Sequence, residues 1–133
     1  MIDHGAHREE ECLFCRWIRE GAVVDRLGTV AAVKDGFPVT DGHLLIIPRR
    51  HTPDWFSMTD EEMADCRALI HHLAESIKKD DPSVTGFNIG TNSGASAGQT
   101  VFHAHIHLIP RRDGDCANPR GGVRGVIDGM RIY

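Results

Sequence analysis

The chain contains no run approaching the roughly 18 consecutive apolar residues of a membrane-spanning helix, so no membrane association is expected from it. Its first residues, MIDHGAHREEEC, lack the basic-then-apolar order of a secretion signal. Positive charge is not in excess: 15 Lys and Arg stand against 19 Asp and Glu, a formal net charge of −4. That balance argues against nucleic-acid binding, which draws its affinity from phosphate neutralisation. It leaves room for a small anionic ligand, because arginines gather late in the chain at Arg111, Arg112, Arg120, Arg124 and Arg131. Aromatic residues are sparse, at 6%, and read as packing rather than as a row of base-stacking platforms. No glutamate follows Glu75, and no internal repeat or low-complexity tract is present. Cysteines number four. Without a secretion signal they point to a reducing cytoplasm, where a CxxC pair serves a metal or redox chemistry instead of a structural disulfide.

At 133 residues the chain suffices for one domain with a proper core and is too short for two. A single domain is therefore expected over residues 1–133, with a mobile leader at 1–11 and a Gly- and Arg-rich tail at 113–133. Residues 12–20 read as a short helix stopped by Gly21. Residues 22–26 and 29–34 read as a hairpin turning at Leu27-Gly28. A loop at 35–42 leads to an apolar strand at 43–47, stopped by Pro48. Thr59, with Glu62 three residues later, makes a capping box. Met63, Cys66, Ile70, Leu73 and Ile77 then follow at helical spacing, predicting a helix to about residue 79. A further strand is predicted at 86–92, a small-residue loop at 93–98 and a last strand at 101–110. The pattern gives an α+β fold: an antiparallel sheet of about five strands, one long helix and a short N-terminal helix.

That last strand, VFHAHIHLIP, places His103, His105 and His107 at alternate positions. On a strand such residues share one face, roughly 6.6 Å apart. Phe102, Ala104, Ile106 and Leu108 then pack the other face. A line of imidazoles is costly to bury in a core, so this face is expected to border a cleft. Two chemistries fit. Imidazoles on a strand can chelate a metal, although such sites usually recruit carboxylates, and the second half of this chain has no glutamate. Alternatively, a neutral imidazole attacks phosphorus well and leaves well, dividing one displacement into two, while a neighbour hydrogen-bonds the non-bridging oxygens as charge builds. Crowded imidazoles resist protonation together, which favours the neutral nucleophile.

The run His103-Ala104-His105-Ile106-His107-Leu108-Ile109 resembles the signature of the histidine triad (HIT) superfamily. Gly98-Gln99-Thr100-Val101 and Gly42-His43-Leu44-Leu45-Ile46-Ile47-Pro48 resemble it as well, and the likeness spans about residues 12–112. The resemblance implies a HIT-like fold, usually dimeric, and a nucleotidyl hydrolase or transferase that acts on an α-phosphate through a covalent nucleotidyl-histidine. By position it implies His105 as nucleophile, His107 on the α-phosphate oxygens, and His43 behind the nucleophile, orienting its ring. Asn92 and Gln99 would bond phosphate oxygens or the leaving group, Thr100 would face the leaving group, and Asp35 would accept the ribose hydroxyls of a purine nucleotide. Phe14, Trp17 and Ile18 are candidates for the base pocket. A nucleotide-binding regulatory module with vestigial hydrolysis would use the same residues.

Cys12-Leu13-Phe14-Cys15 is a second constellation. A CxxC alone can be redox-active or merely buried, and a zinc site needs two more ligands. His51 and His103 are the candidates. The set resembles the zinc-bearing branches of the superfamily, which implies structural Zn2+ on Cys12, Cys15, His51 and His103, with no metal needed at the phosphate. Cys66 is expected in the core and Cys116 as a free thiol. His71, His72, His4 and His7 are expected at the surface or in the leader. In the tail, Asn118-Pro119-Arg120-Gly121-Gly122-Val123-Arg124-Gly125, the glycines and arginines suggest closure over a polyphosphate or a subunit contact. The first of these makes Arg120 and Arg124 the expected readers of extra phosphates.

Overall fold

The computed structural model describes residues 9–133. Most of the expected leader, with His4 and His7, lies outside the described residues; its last three, Glu9–Glu11, form a 3-10 turn that feeds the first helix. The elements run α1 (Leu13–Arg19), β1 (Asp25–Leu27), β2 (Val30–Lys34), β3 (Leu44–Pro48), α2 (Asp60–Asp80), β4 (Val84–Gly90) and β5 (Ile106–Arg112). The five strands form one antiparallel sheet in the order β1-β2-β3-β5-β4. After β3 the chain crosses one face as α2 and returns as β4 at the edge, leaving the gap that β5 later fills. No helix among the described residues is long and apolar enough to cross a membrane.

Alternation along the strands divides the interior in two. Val30, Ala32, Leu44, Ile46, Ile106 and Leu108 point to one face and bury against Cys66, Leu69 and Leu73 of α2. Ala31, Val33, Leu45 and Ile47 point to the other and pack with Cys12, Phe14 and Cys15 of the α1 region. Residues Leu44–Ile47 are all buried, as expected for a central strand covered on both faces. Helix α2 starts at the expected capping box: the Thr59 hydroxyl accepts the Glu62 N–H, and the Glu62 carboxylate accepts the Thr59 N–H. Its buried stripe is Cys66, Leu69 and Leu73, with Ile70 and Ile77 partly covered; Leu69 was absent from the periodicity read off the sequence.

Two strand boundaries depart from the sequence reading. The hairpin's first strand is only Asp25–Leu27, with Val24 still donating to the Ala32 carbonyl. The histidine strand begins at Ile106, not at 101, and runs through Pro110 to Arg112. Pro110 is tolerated because β3 ends at Leu44, opposite Leu108. No ladder donor is needed from residue 110 on that side, and its carbonyl accepts the Thr40 hydroxyl at 2.6 Å. The tail is not wholly irregular: Gly122–Val126 forms a 3-10 turn beside β4.

The β1–β2 turn depends on a glycine. Gly28 has φ +54°, and a Cβ there would stand 2.4 Å from Asp65 Oδ2. That carboxylate accepts both the backbone N–H and the hydroxyl of Thr29, tying the hairpin to α2. Gly28→Ala is expected to lower stability by about 1–2 kcal/mol, since it combines a disfavoured φ with displacement of Asp65. An unchanged urea-unfolding midpoint would contradict this account.

Candidate functional site

The three histidines do not share one environment. His103 and His105 precede β5 and are buried, while His107 lies within it and is partly exposed. His107 sits opposite Leu45, on the face turned away from α2. Each ring is oriented by a bond that also fixes where its proton resides. The His105 Nδ1 is 2.8 Å from the His103 carbonyl oxygen. A carbonyl only accepts, so Nδ1 carries the proton and Nε2 keeps its lone pair. The Val39 N–H donates to His43 Nδ1 at 3.0 Å, which puts the His43 proton on Nε2. His43 Nε2 then donates to His107 Nδ1 at 2.9 Å, so His107 presents Nε2–H outward. The site thus combines one bare ring nitrogen with one N–H donor on the next alternate residue.

His43 was expected behind the nucleophile, but it stands behind His107. The register accounts for this. Leu44 faces Leu108 and Leu45 faces His107, so residue 43 is diagonal to 107 and one step further from 105. The Asp35 carboxylate completes the group, 3.4 Å from His43 Nε2 and 3.8 Å from His107 Nδ1. Its other oxygen accepts the Phe37 N–H.

Burial keeps these rings neutral. It lowers His43 and His105 below the ordinary value, against the pull of Asp35. His107 is lowered to about 4, by burial first and then by His105 and His43. Phe14 presses edge-on against His105, with centroids 5.1 Å apart, and also touches His103 at 5.7 Å.

Two clefts meet at His107. One, of 440 Å³, holds Phe14, Trp17, Leu45, Thr100 and His105. The other, of 510 Å³, holds Val39, His43, Ile109 and, from the tail, Val123 and Val126. Asp35, Phe37, Asn92 and His107 line both. Thus His105, His107, His43, Asp35, Asn92 and Thr100 converge as expected. Gln99 does not join them as a free donor. It is buried, its amide donates to the carbonyls of Pro53 at 2.6 Å and Val101 at 3.1 Å, and its oxygen accepts the Gly94 N–H. It braces the loop around Ala95–Ala97, which ends at Gly98 in the left-handed region, φ +97°.

The remaining histidine belongs to a second group. Cys12, Cys15, His51 and His103 bring their ligand atoms within 4.8 Å of one another. His103 Nδ1 is 3.4 Å from Cys12 Sγ and 3.5 Å from Cys15 Sγ; His51 Nδ1 is 3.4 Å from Cys15 Sγ. Tetrahedral zinc with ordinary Zn–S and Zn–N bonds requires S···N edges of roughly 3.5 Å, so the donor set is compatible with zinc. The outer bond fits as well. His103 Nε2 donates to the Pro48 carbonyl at 2.7 Å, leaving the Nδ1 lone pair aimed among the sulfurs.

Comparison with known proteins agrees with this arrangement. The family model for the HIT domain matches residues 19–114. The chain belongs to the HIT domain family. The protein hit of Bacillus subtilis is 37% identical over 108 residues, covering 79% of this chain and 74% of that protein. The adenylylsulfatase HINT3 of Arabidopsis thaliana is 34% identical over 111 residues, covering 81% of this chain and 56% of that protein. Among solved structures, a Zn-bound histidine triad family protein from Mycobacterium smegmatis superposes with TM-score 0.75 at 32% identity, over 84% of this chain and 82% of that one.

In this HIT chain the sequence gave no hint of several supporting groups. The Thr91 hydroxyl donates to the His105 carbonyl at 2.7 Å. The Thr52 carbonyl accepts the Ala104 N–H at 2.7 Å. Backbone acceptors leave no trace in side-chain identity, so only Thr91, next to Asn92, carried any signal. Long-range ¹H–¹⁵N spectra at pH 7 are expected to show His105 protonated on Nδ1, and His43 and His107 on Nε2. All three should titrate below the ordinary value of 6.5. A His105 ring already charged at pH 6.5 would refute the assignment.

Proposed function

We propose that this HIT protein is a nucleotide hydrolase that cleaves the α-phosphate bond of a nucleoside phosphoramidate or dinucleoside polyphosphate through a nucleotidyl-histidine. The observation that carries the reading is the opposite protonation of two neighbours, a bare Nε2 on His105 and an Nε2–H on His107. The family supports it, as does a relative that is an adenylylsulfatase, an enzyme with the same kind of bond to break.

The steps follow from the tautomers. The nucleoside lies in the cleft with Phe14 and Trp17, its ribose hydroxyls on Asp35. The His105 Nε2 lone pair forms a bond to the α-phosphorus. The bond to the leaving group breaks, its electron pair departs with that group, and an amine leaving group takes a proton from water. As charge builds on the phosphate oxygens, His107 Nε2–H and the Asn92 amide donate to them, and Thr100 faces the departing group. His43 steadies His107, and Gln99 acts through the loop it braces. Water then attacks phosphorus, the N–P bond breaks, and its electron pair returns to Nε2. The sum is hydrolysis to a nucleoside monophosphate and the free leaving group.

Cys12, Cys15, His51 and His103 are proposed to hold a structural zinc ion, which when bound would supply charge for two buried thiolates and take no part in the transfer. Without a cation, burial first and then the neighbouring Cys12 push the Cys15 thiol up to about 12. A divalent ion among the four donors reverses that preference. The chain is further proposed to pair as a homodimer along β4, an edge strand of the sheet that leaves Ile89 half exposed.

His105→Asn is expected to abolish turnover by roughly 10³-fold or more while nucleotide binding persists. Acid-quenched wild-type protein should carry a nucleotidyl group on His105; full activity in the variant would end the proposal. Protein purified without chelators should hold one zinc per chain. Cys15→Ala should lose the metal and lower Tm by several degrees, whereas an unchanged Tm with no metal in the wild type would remove the zinc assignment.

A further inference from the structure

We infer that the cleft on the tail side of His107 is a subsite for an uncharged, apolar leaving group, such as an aryl or alkyl amine, and not for a polyphosphate. The inference rests on the nucleotidyl-transfer reading above and specifies its substrate.

Displacement at phosphorus expels the leaving group on the side opposite the entering nitrogen. His105 lines only the first cleft, whereas His107, Asp35 and Asn92 lie on the boundary of both. A phosphorus held between His105 and His107 therefore directs its leaving group past His107, into the second cleft.

The lining decides what that group is. Phe37, Val39, Ile89, Ile109, Val123 and Val126 supply the walls; no Lys or Arg lines the cleft, and Asp35 contributes a carboxylate. A polyphosphate would lose water there beside a like charge, with no cation among the lining residues to compensate. The arginines that the sequence suggested for this task are engaged elsewhere. Arg120 and Arg124 place their guanidinium carbons 4.6 and 4.8 Å from the Tyr133 ring centroid, and neither lines either cleft. Arg131 donates to the carbonyls of Asn118 and Arg120, and Arg111 is bonded to Asp115 and Asn88.

The apolar rim is also unusually bare. Phe37 is 92% exposed, Val39 69%, Val123 63% and Val126 79%. These side chains come from two segments remote in sequence and stand in water around one opening that is continuous with the reacting histidines. An apolar group entering there would remove them from water. The tail half of the rim is held in place by close packing: Gly122 approaches β4 so nearly that a Cβ would lie 3.2 Å from the Asn88 amide nitrogen.

The test compares adenosine 5′-phosphoramidate, its N-aryl derivative and a diadenosine polyphosphate on the full chain, with Val126→Asp as the variant. In wild type, kcat/KM is expected to be at least tenfold higher for the N-aryl substrate than for the unsubstituted one, and lowest for the polyphosphate. Val126→Asp should bring the aryl-to-unsubstituted ratio close to one. Val123→Ser, also at an exposed position, should move that ratio in the same direction. Equal kcat/KM for the two phosphoramidates, fastest turnover of the polyphosphate, or a ratio untouched by both variants would overturn the subsite and leave the hydrolase reading standing. No turnover of any substrate, with no nucleotidyl-His105, would instead remove the reading on which the subsite rests.

Discussion

Segment 48–53 is the constraint on which the site depends. It leaves β3 and touches every part of the histidine strand without entering either cleft. The Pro48 carbonyl takes the His103 N–H, the Thr52 carbonyl takes the Ala104 N–H, and the Pro53 carbonyl takes the Gln99 amide. Between them His51 reaches Cys15. The segment is in turn anchored to α2: Arg50 donates to both oxygens of buried Glu62, at 3.1 and 2.9 Å, and to the Ser57 carbonyl. Burial alone would raise the Glu62 carboxyl, but the bonds from Arg50 and Thr59 outweigh it and hold the group below its usual range. One carboxylate thus closes the cap of a helix on one face of the sheet and holds in place the strap that positions imidazoles on the other.

That rigidity matters because the chemistry proposed here turns on proton placement more than on charge. No cation lines the tail-side cleft, and the histidines of the site are all held below their ordinary range by burial. What distinguishes them is the acceptor each ring meets. A carbonyl at one ring and a backbone N–H at another give neighbouring histidines opposite outward faces. Both acceptor and donor belong to the backbone, so the tautomers are set by fold geometry and survive most side-chain changes nearby.

This also explains what was readable in advance. The period-two histidines, the CxxC pair and the capping box are side-chain patterns, and they led correctly to the sheet, the long helix and the gathering of Cys12, Cys15, His51 and His103. The errors concern backbone and register. The strand boundary at Ile106 depends on where β3 ends, and the partner of His43 depends on a diagonal across two strands. Gln99 has the chemistry of a ligand contact, and only the positions of Pro53 and Val101 show that its amide is already spent. The arginines of the tail were legible as charge, but their stacking on Tyr133 required a chain reversal that no local pattern announces.

The alternation through β5 sets a limit on how such a protein can change. Ile106 and Leu108 seal the interior against α2, while His107 between them faces the opening. Inserting or deleting a single residue here would drive imidazole into the hydrocarbon layer and turn aliphatic groups toward the ligand, undoing packing and chemistry together. Variation in length is therefore confined to the ends of the chain and to loops outside this ladder, so new specificities are most readily acquired by remodelling the C-terminal extension around a fixed catalytic frame.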